Sequence, residues 1–153
     1  MGANIAKGKL TGKKLLVLDT DHFSELERNL TPGRQLASRL TASREEKALT
    51  IVTVEEETRG WLAQISRQRD LERQIAPYSK FQRQIEAFSE WLILPSDADA
   101  ARLFADFRRQ GSRIGSMDLK IACIVLAYDA TLLTRNRMDF SKVPGLRFEN
   151  WLE

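Results

Sequence analysis

The sequence predicts an α/β domain with a mainly parallel central sheet and helices on both faces. Three observations lead to this prediction: apolar runs of strand length recur, segments with helical spacing separate them, and 153 residues suit one domain. Strands that alternate with helices are joined by right-handed crossovers, which leave the strands parallel and the helices on both sides. No apolar run approaches the roughly 18 residues that would indicate a membrane helix.

The first half of the chain contains two predicted strands. LLVL at residues 15–18 is a continuous apolar run, typical of a strand that is buried on both faces of a parallel sheet. Helical spacing follows over residues 23–30 and 33–40, with Thr31 and Pro32 as the signal for a break and a new start. A second strand is predicted over residues 49–54.

The second half continues the alternation. A helix is predicted from Thr53 through residue 74, and Pro77 separates it from an amphipathic helix over residues 79–91. Ser116 is a plausible N-cap for a later helix that runs through residue 127. The other predicted elements are a strand at 92–94, a helix at 97–110 closed by Gly111, a strand at 131–134 and a last strand near 146–149.

Composition gives weaker information. Residues 1–14 are basic but lack the apolar stretch of a secretory signal, so we expect a disordered leader before a single domain over residues 15–153. Cys123 is the only cysteine and cannot form an intramolecular disulfide, which suits the reducing cytosol; we therefore expect a cytoplasmic protein. A net charge of +3 does not by itself predict a polyanionic partner.

Acidic side chains follow several predicted strands, and the carboxyl ends of parallel strands form the usual ligand-binding edge of an open α/β sheet. The side chains expected there are Asp19, Asp21, Glu56, Asp118, Asn136 and Asp139. Each has a local explanation as well: Glu56, for example, would complete a capping box with Thr53 at the start of its helix. Caps need not gather at one edge, however, so the set as a whole indicates a functional site.

Carboxylates that are held close together repel one another unless a cation neutralises them, so the sequence predicts a hard cation. Oxygen donors suit Mg²⁺, with Mn²⁺ as a second possibility, and one His and one Cys exclude the usual zinc ligand sets. We interpret His22 as a helix-start residue rather than a catalyst. Such a cation commonly serves phosphodiester hydrolysis. Arginines near the predicted site could contact phosphates: Arg108, Arg109, Arg113, Arg135 and Arg137.

Five motifs in order resemble one family. LLVLDTDHFSEL, TVEEETRG, IGSMDLKIA, LLTRNRMDF and VPGLRFENW together resemble a PIN domain of the VapC type, the ribonuclease toxins of type II toxin–antitoxin systems. The resemblance runs from about residue 15 to the C-terminus. It implies a three-layer α/β fold, a Mg²⁺-dependent endoribonuclease that cleaves RNA, a homodimer, and a cognate antitoxin protein that masks the site.

The resemblance also assigns the site residues. Asp19, Glu56 and Asp118 fall on the three family acids, and Asn136 occupies the fourth position with Asp139 as the nearby acid. The metal ligands implied are these five residues, and the secondary candidates are Asp21, Thr134, Arg135 and Arg137. Asp21 stands where many relatives have Asn, which would add a negative charge near the metal.

Two alternatives remain open. An apolar strand followed by Asp-x-Asp is also the nucleophile motif of haloacid-dehalogenase-type phosphatases, in which Asp19 would attack phosphorus and Asp21 would act as acid and base. The other alternative is a PIN-like module that binds RNA or a partner protein without turnover.

Overall fold

The computed structural model describes residues 14–153, and a parallel sheet of five strands forms the centre of this part. The strands are β1 (Leu15–Leu18), β2 (Glu46–Thr50), β3 (Leu92–Leu94), β4 (Thr131–Leu133) and β5 (Arg147–Glu149). The helices are α1 (Thr20–Arg28), α2 (Thr31–Ala42), α3 (Ile51–Arg67), α4 (Leu71–Phe88), α5 (Ala98–Arg109), α6 (Ser116–Ala127) and α7 (Arg137–Phe140). The predicted leader, residues 1–14, lies outside the described residues except for Lys14.

The sheet order is β3-β2-β1-β4-β5, and each neighbouring pair is parallel. Successive residues of β1 point to opposite faces of the sheet. Leu15 and Val17 enter a core that includes residues of α5 and α6, whereas Leu16 and Leu18 enter a second core with residues of α1 and α2. The predicted three-layer α/β fold is therefore confirmed.

The predicted bounds of the second strand are wrong. β2 covers Glu46–Thr50, and the β-branched residues that follow it belong to α3. Thr50 ends the strand because its hydroxyl caps the helix and accepts the backbone N–H of Thr53 at 3.2 Å. Glu46 and Lys47 are extended because they pair with Leu15 and Leu16 of β1. Their polar side chains are tolerated because the pairing of β3 with β2 begins only at Ala48, which leaves the start of β2 half-buried.

The predicted break at Pro77 is also wrong, because Pro77 lies inside α4. The two long helices separate nearer to residue 69, where Asp70 caps α4 by accepting the backbone N–H of Arg73 at 2.8 Å. A proline inside a helix frees the carbonyl four residues earlier. That carbonyl belongs to Arg73, an exposed residue, so water can satisfy it without ending the helix.

Several helix ends differ from the prediction by a few residues. α1 begins at Thr20 because the Asp19 carboxylate caps it, and α6 is capped by Gly115 rather than by Ser116, its first residue. Gly33 is required where α2 crosses α1, since a Cβ there would lie 2.0 Å from the Glu25 carbonyl oxygen. Thr134 lies one residue beyond β4 instead of in it.

Among the described residues, we find no helix with the length and apolar character needed to cross a membrane.

Candidate metal centre

The candidate site lies at the carboxyl ends of β1 and β4, the two strands between which the chain reverses its direction of travel across the sheet. The backbone N–H of Asp19 donates to the Leu133 carbonyl at 3.0 Å, and this bond extends the pairing of the two strands by one residue. The side chains that directly follow β1 and β4 are thereby brought to one place.

Asp19 is 7% exposed, and His22 contacts one oxygen of its carboxylate in two ways. Its Oδ1 accepts the backbone N–H of His22 at 2.7 Å, as the N-cap of α1. The Nδ1 of His22 lies 3.3 Å from the same oxygen, a close electrostatic contact that lacks hydrogen-bond geometry. The backbone N–H of Trp151 donates to His22 Nε2 at 3.2 Å, so the ring proton of this tautomer is on Nδ1 and faces Asp19.

Glu56 lies in the second turn of α3, not at its beginning as predicted, and it makes no capping box with Thr53. Instead, its Oε1 accepts the hydroxyl of Thr20 at 2.9 Å, and the Thr20 hydroxyl also lies 3.1 Å from that of Thr53. Glu56 is therefore not explained as a helix cap, because its carboxylate is held by Thr20 of α1 and not by Thr53 at the start of α3.

Asp118 lies in the first turn of α6, as predicted. The Nδ2 of Asn136 donates to Asp118 Oδ2 at 3.4 Å and to Asp139 Oδ2 at 3.0 Å. The other end of the amide is also occupied, since Asn136 Oδ1 accepts the backbone N–H of Asp139 at 3.3 Å and caps α7. Asn136 therefore presents its amide NH₂ to the two carboxylates. Thr134 is fully buried and its hydroxyl accepts the Asn136 backbone N–H at 3.0 Å, which shapes the loop.

The electrostatics indicate that these acids form one group. Burial raises the pKa of Asp118 above its usual range, and the charges of Asp139 and Asp19 raise it further. Burial likewise raises the pKa of Glu56, against the hydrogen bond from Thr20, and Asp118 and Asp19 act in the same upward direction. Carboxylates that are both desolvated and mutually repelling form a site that a cation would stabilise.

The donor chemistry fits Mg²⁺ or Mn²⁺, because the converging groups are carboxylate oxygens. By distance alone, Asp19, Asp21 and His22 are the one group of described acidic, histidine or cysteine residues whose ligand atoms all lie within 4.8 Å of one another, whereas Asp19, Glu56 and Asp118 are spaced more widely. This grouping is less suited to hold an ion, because the His22 nitrogen that faces Asp19 is Nδ1, which carries the ring proton while Nε2 accepts the Trp151 N–H, and because Arg135 occupies both oxygens of Asp21. The group of Asp19, Glu56 and Asp118 is the better candidate.

Comparison with known sequences identifies the family. The sequence profile described as PIN domain matches residues 16–146. The chain belongs to the PIN-domain family. Ribonuclease VapC2 of Rickettsia felis is 41% identical over 49 residues, which is 32% of this chain and 37% of that protein. Ribonuclease VapC1 of Haemophilus influenzae strain R2866 is 39% identical over 44 residues, 29% of this chain and 33% of that protein, so these alignments span only about a third of the relatives.

Solved structures share the fold of this PIN domain over most of its length. VapBC-1 from nontypeable Haemophilus influenzae superposes with a TM-score of 0.71 at 23% identity, over 91% of this chain and 99% of that chain. VapBC2 from Rickettsia felis, bound to a DNA fragment from its promoter, gives a TM-score of 0.64 at 22% identity, over 90% and 98% of the two chains. At these identities the likeness concerns the fold.

Asp21 does not add an uncompensated charge to the site of the PIN domain. Arg135, which lies 114 residues later in the chain, donates two hydrogen bonds of 2.7 Å to it, from Nε to Oδ2 and from an Nη to Oδ1. The hydrogen bond from Arg135 holds the pKa of Asp21 below its usual range. Asp21 is therefore poorly placed as the acid and base of a phosphatase, and Arg135 has two of its N–H groups already donated to Asp21, whose negative charge offsets its own.

The other predicted arginines differ in their surroundings. Arg108 donates to the Ser112 carbonyl at 2.8 Å and to the Ser116 hydroxyl at 3.3 Å, so it braces the loop before α6. Arg109 pairs with Asp106 on the exposed face of α5, and Arg137 lies 3.4 Å from Glu153. Arg113 makes no hydrogen bond or ion pair with another described residue.

The sequence analysis did not recognise Thr20, and it interpreted His22 only as a helix-start residue, a position that His22 does occupy in α1. Thr20 holds Glu56, and His22 contacts Asp19 from a fully buried position. The available signal was their place in the DTDH segment, directly after the strand. Nothing local indicates that the partners of these residues are Glu56 and the Trp151 backbone, 36 and 129 residues away.

Proposed function

We propose that this PIN domain is a metal-dependent endoribonuclease that hydrolyses RNA phosphodiester bonds as the toxin of a toxin–antitoxin pair. The observation that carries the proposal is the convergence of Asp19, Glu56 and Asp118, with Asp139 beside them, at the switch point of the sheet. The ribonuclease names of the VapC relatives support the reaction. A solved toxin–antitoxin complex from Klebsiella pneumoniae with the same fold, at a TM-score of 0.63, supports a protein partner.

Asp19, Glu56, Asp118 and Asp139 would hold the ion, Mg²⁺ or Mn²⁺. When bound, the ion would neutralise phosphate oxygens and lower the pKa of a water that attacks phosphorus. The chain itself fixes the carboxylates: the start of α1 orients Asp19, and Thr20 orients Glu56. We assign Asn136 to orientation rather than to metal binding, because its amide NH₂ faces Asp118 and Asp139 and its oxygen caps α7.

The proposed activity is tested with the full chain and structured RNA. We expect cleavage in Mg²⁺ or Mn²⁺, none in EDTA, and recovery when the ion is restored. Cleavage that persists in EDTA would contradict the metal requirement. Tight RNA binding without cleavage in either ion would favour the alternative of a binding module.

The proposed partners are an antitoxin protein and a second copy of this chain. Co-expression with the product of the adjacent gene tests the first: growth arrest on induction, relieved by that product, is the result expected of a toxin. Light scattering of the purified chain tests the homodimer, and a monomer at all concentrations would remove that part of the proposal.

The Asp21–Arg135 pair gives a prediction about RNA affinity. Asp21→Asn removes the carboxylate that pairs with the guanidinium of Arg135. We therefore expect RNA affinity to rise about two- to fivefold, within the range of exposed ion pairs, and the slope of log affinity against log salt concentration to steepen by about 1. Arg135→Ala leaves Asp21 uncompensated, so binding should weaken. Fluorescence anisotropy of a labelled RNA across a salt series measures both effects, and the double variant Asp21→Asn/Arg135→Ala serves as the charge-matched control. Changes in the same direction for the two single variants would contradict the pairing.

A further inference from the structure

A cleft of about 450 Å³ lies beside the candidate metal centre, and Asp139 forms part of its lining. The opposite lining comes from the end of α5 and the loop before α6, including Phe107, Gly111 and Ile114, and Pro144 closes it from the segment after α7. This volume falls within the range of small-molecule sites, about 300–1,000 Å³. The cleft therefore has room for a group next to the proposed scissile phosphate.

Two cations line this cleft, Arg113 and Lys142. Both residues are exposed, and Arg113 makes no hydrogen bond or ion pair with any other residue in the range 14–153. Lys142 Nζ lies 3.9 Å from Asp139 Oδ1, so it bridges the cleft and the acid cluster. Positive charge next to a carboxylate site suits a polyanion whose neighbouring phosphate contacts the cations.

The loop that forms the cleft is held in place before any ligand arrives. Arg108 donates to the Ser112 carbonyl at 2.8 Å, and the backbone N–H of Ser112 donates to the Phe107 carbonyl at 3.0 Å. Gly111 supports the turn with a φ of +89°, a conformation that other residues rarely adopt. Little ordering of this loop would be required on binding, which favours affinity.

We propose that this cleft binds the unpaired nucleotide adjacent to the scissile phosphate, with its base against Phe107 and Pro144 and its phosphate at Arg113 and Lys142. The inference rests on the proposed nuclease function, because it takes an RNA strand as the ligand. Base contact with an aromatic side chain requires a base that is free of its own helix.

Binding is located with adenosine 5′-monophosphate and uridine 5′-monophosphate, which contain no phosphodiester to cleave. We expect titration of the ¹⁵N-labelled full chain to shift the amide signals of Gly111, Ser112 and Arg113. Arg113→Ala should weaken this binding about fivefold and Phe107→Leu about tenfold, the latter by loss of stacking. Unshifted loop amides, or affinities that the two substitutions leave unchanged, would overturn the inference.

Arg109→Ala is the matched control for Arg113→Ala. Both remove one exposed guanidinium from the same region, but Arg109 pairs with Asp106 and does not line the cleft. With single-stranded RNA as substrate, Arg113→Ala should raise KM about fivefold with kcat nearly unchanged, and Arg109→Ala should change neither. If both variants are active and have equal KM values, nucleotide binding in the cleft would be refuted, and the proposed nuclease activity would be unaffected. If the wild type does not cleave RNA but its loop amide signals still shift on addition of nucleotides, nucleotide binding in the cleft would be supported and the proposed nuclease activity refuted.

Discussion

Asp118→Asn is expected to lower RNA cleavage by more than about 100-fold, because even residues that merely orient a metal ligand contribute about 10- to 100-fold. The substitution removes one charged oxygen ligand while it keeps the size of the side chain and its place in the first turn of α6. Rate measurements at saturating Mg²⁺, with Asp106→Asn as a charge-matched control on the exposed face of α5, give the comparison. Cleavage within a few-fold of wild type would remove Asp118 from the site.

The same substitution is expected to stabilise the metal-free protein. The pKa of Asp118 is raised from 3.8 in the folded chain, so its carboxyl favours the folded state at low pH, and this contribution is lost as the pH rises through the raised value. Asp118→Asn removes that dependence and relieves Glu56, whose pKa is also raised in part by Asp118. In EDTA, the variant should therefore gain stability over wild type as the pH rises from about 4 to about 7.

Addition of Mn²⁺ at neutral pH should reverse the order, since a ligand that binds the folded state stabilises it by mass action and the variant binds the ion less well. Urea denaturation at several pH values, with EDTA or Mn²⁺, measures these free energies of unfolding. A variant that is less stable than wild type in EDTA at neutral pH would contradict the repulsion between the acids. If Mn²⁺ leaves the free energy of unfolding of the wild type unchanged, the proposed metal site would be contradicted.

His22→Ala is expected to destabilise the fold by about 3 kcal/mol, through a cavity in the core and an unsatisfied backbone N–H. The imidazole is fully buried between the start of α1 and the C-terminal segment, and it accepts the backbone N–H of Trp151. Urea denaturation of wild type and variant gives the difference. A loss below about 0.5 kcal/mol, the usual range of surface substitutions, would mean that His22 is not needed to hold the two segments together.

Two further variants separate the structural part of His22 from its effect on Asp19. The amide oxygen of His22→Gln can take the place of Nε2 and keep the Trp151 bond, whereas the amide nitrogen of His22→Asn can take the place of Nδ1 and face Asp19. We expect the Gln variant to retain more stability and the Asn variant to retain more Mn²⁺ affinity, as measured by calorimetry. If the two variants were equal in both measurements, His22 would act only by filling space.

Local sequence signals predicted most elements, but they misplaced the boundary between β2 and α3, the break between α3 and α4, and several element ends by a few residues. The apolar run at 15–18 forms a strand as predicted, since it is buried from both sides. The β-branched residues from Ile51 to Val54 suggested a strand, yet they are helical because Thr50 caps the helix and Val52 packs into a core. Strand propensity is weaker than such contacts. Pro77 likewise predicts a break, but the cap at Asp70 lets the helix begin earlier, and the exposed position of Arg73 lets it continue through the proline.

By itself, the sequence determined the α/β class, the strand that leads to Asp19, and the acids that follow the strands, because these depend on patterns of neighbouring residues. Only the tertiary structure decided how each acid is held. Thr20 reaches Glu56, Arg135 neutralises Asp21, and Asn136 turns its amide NH₂ toward Asp118. These contacts join residues 18 to 114 positions apart. The packing of separate elements creates them, and no local pattern encodes such packing.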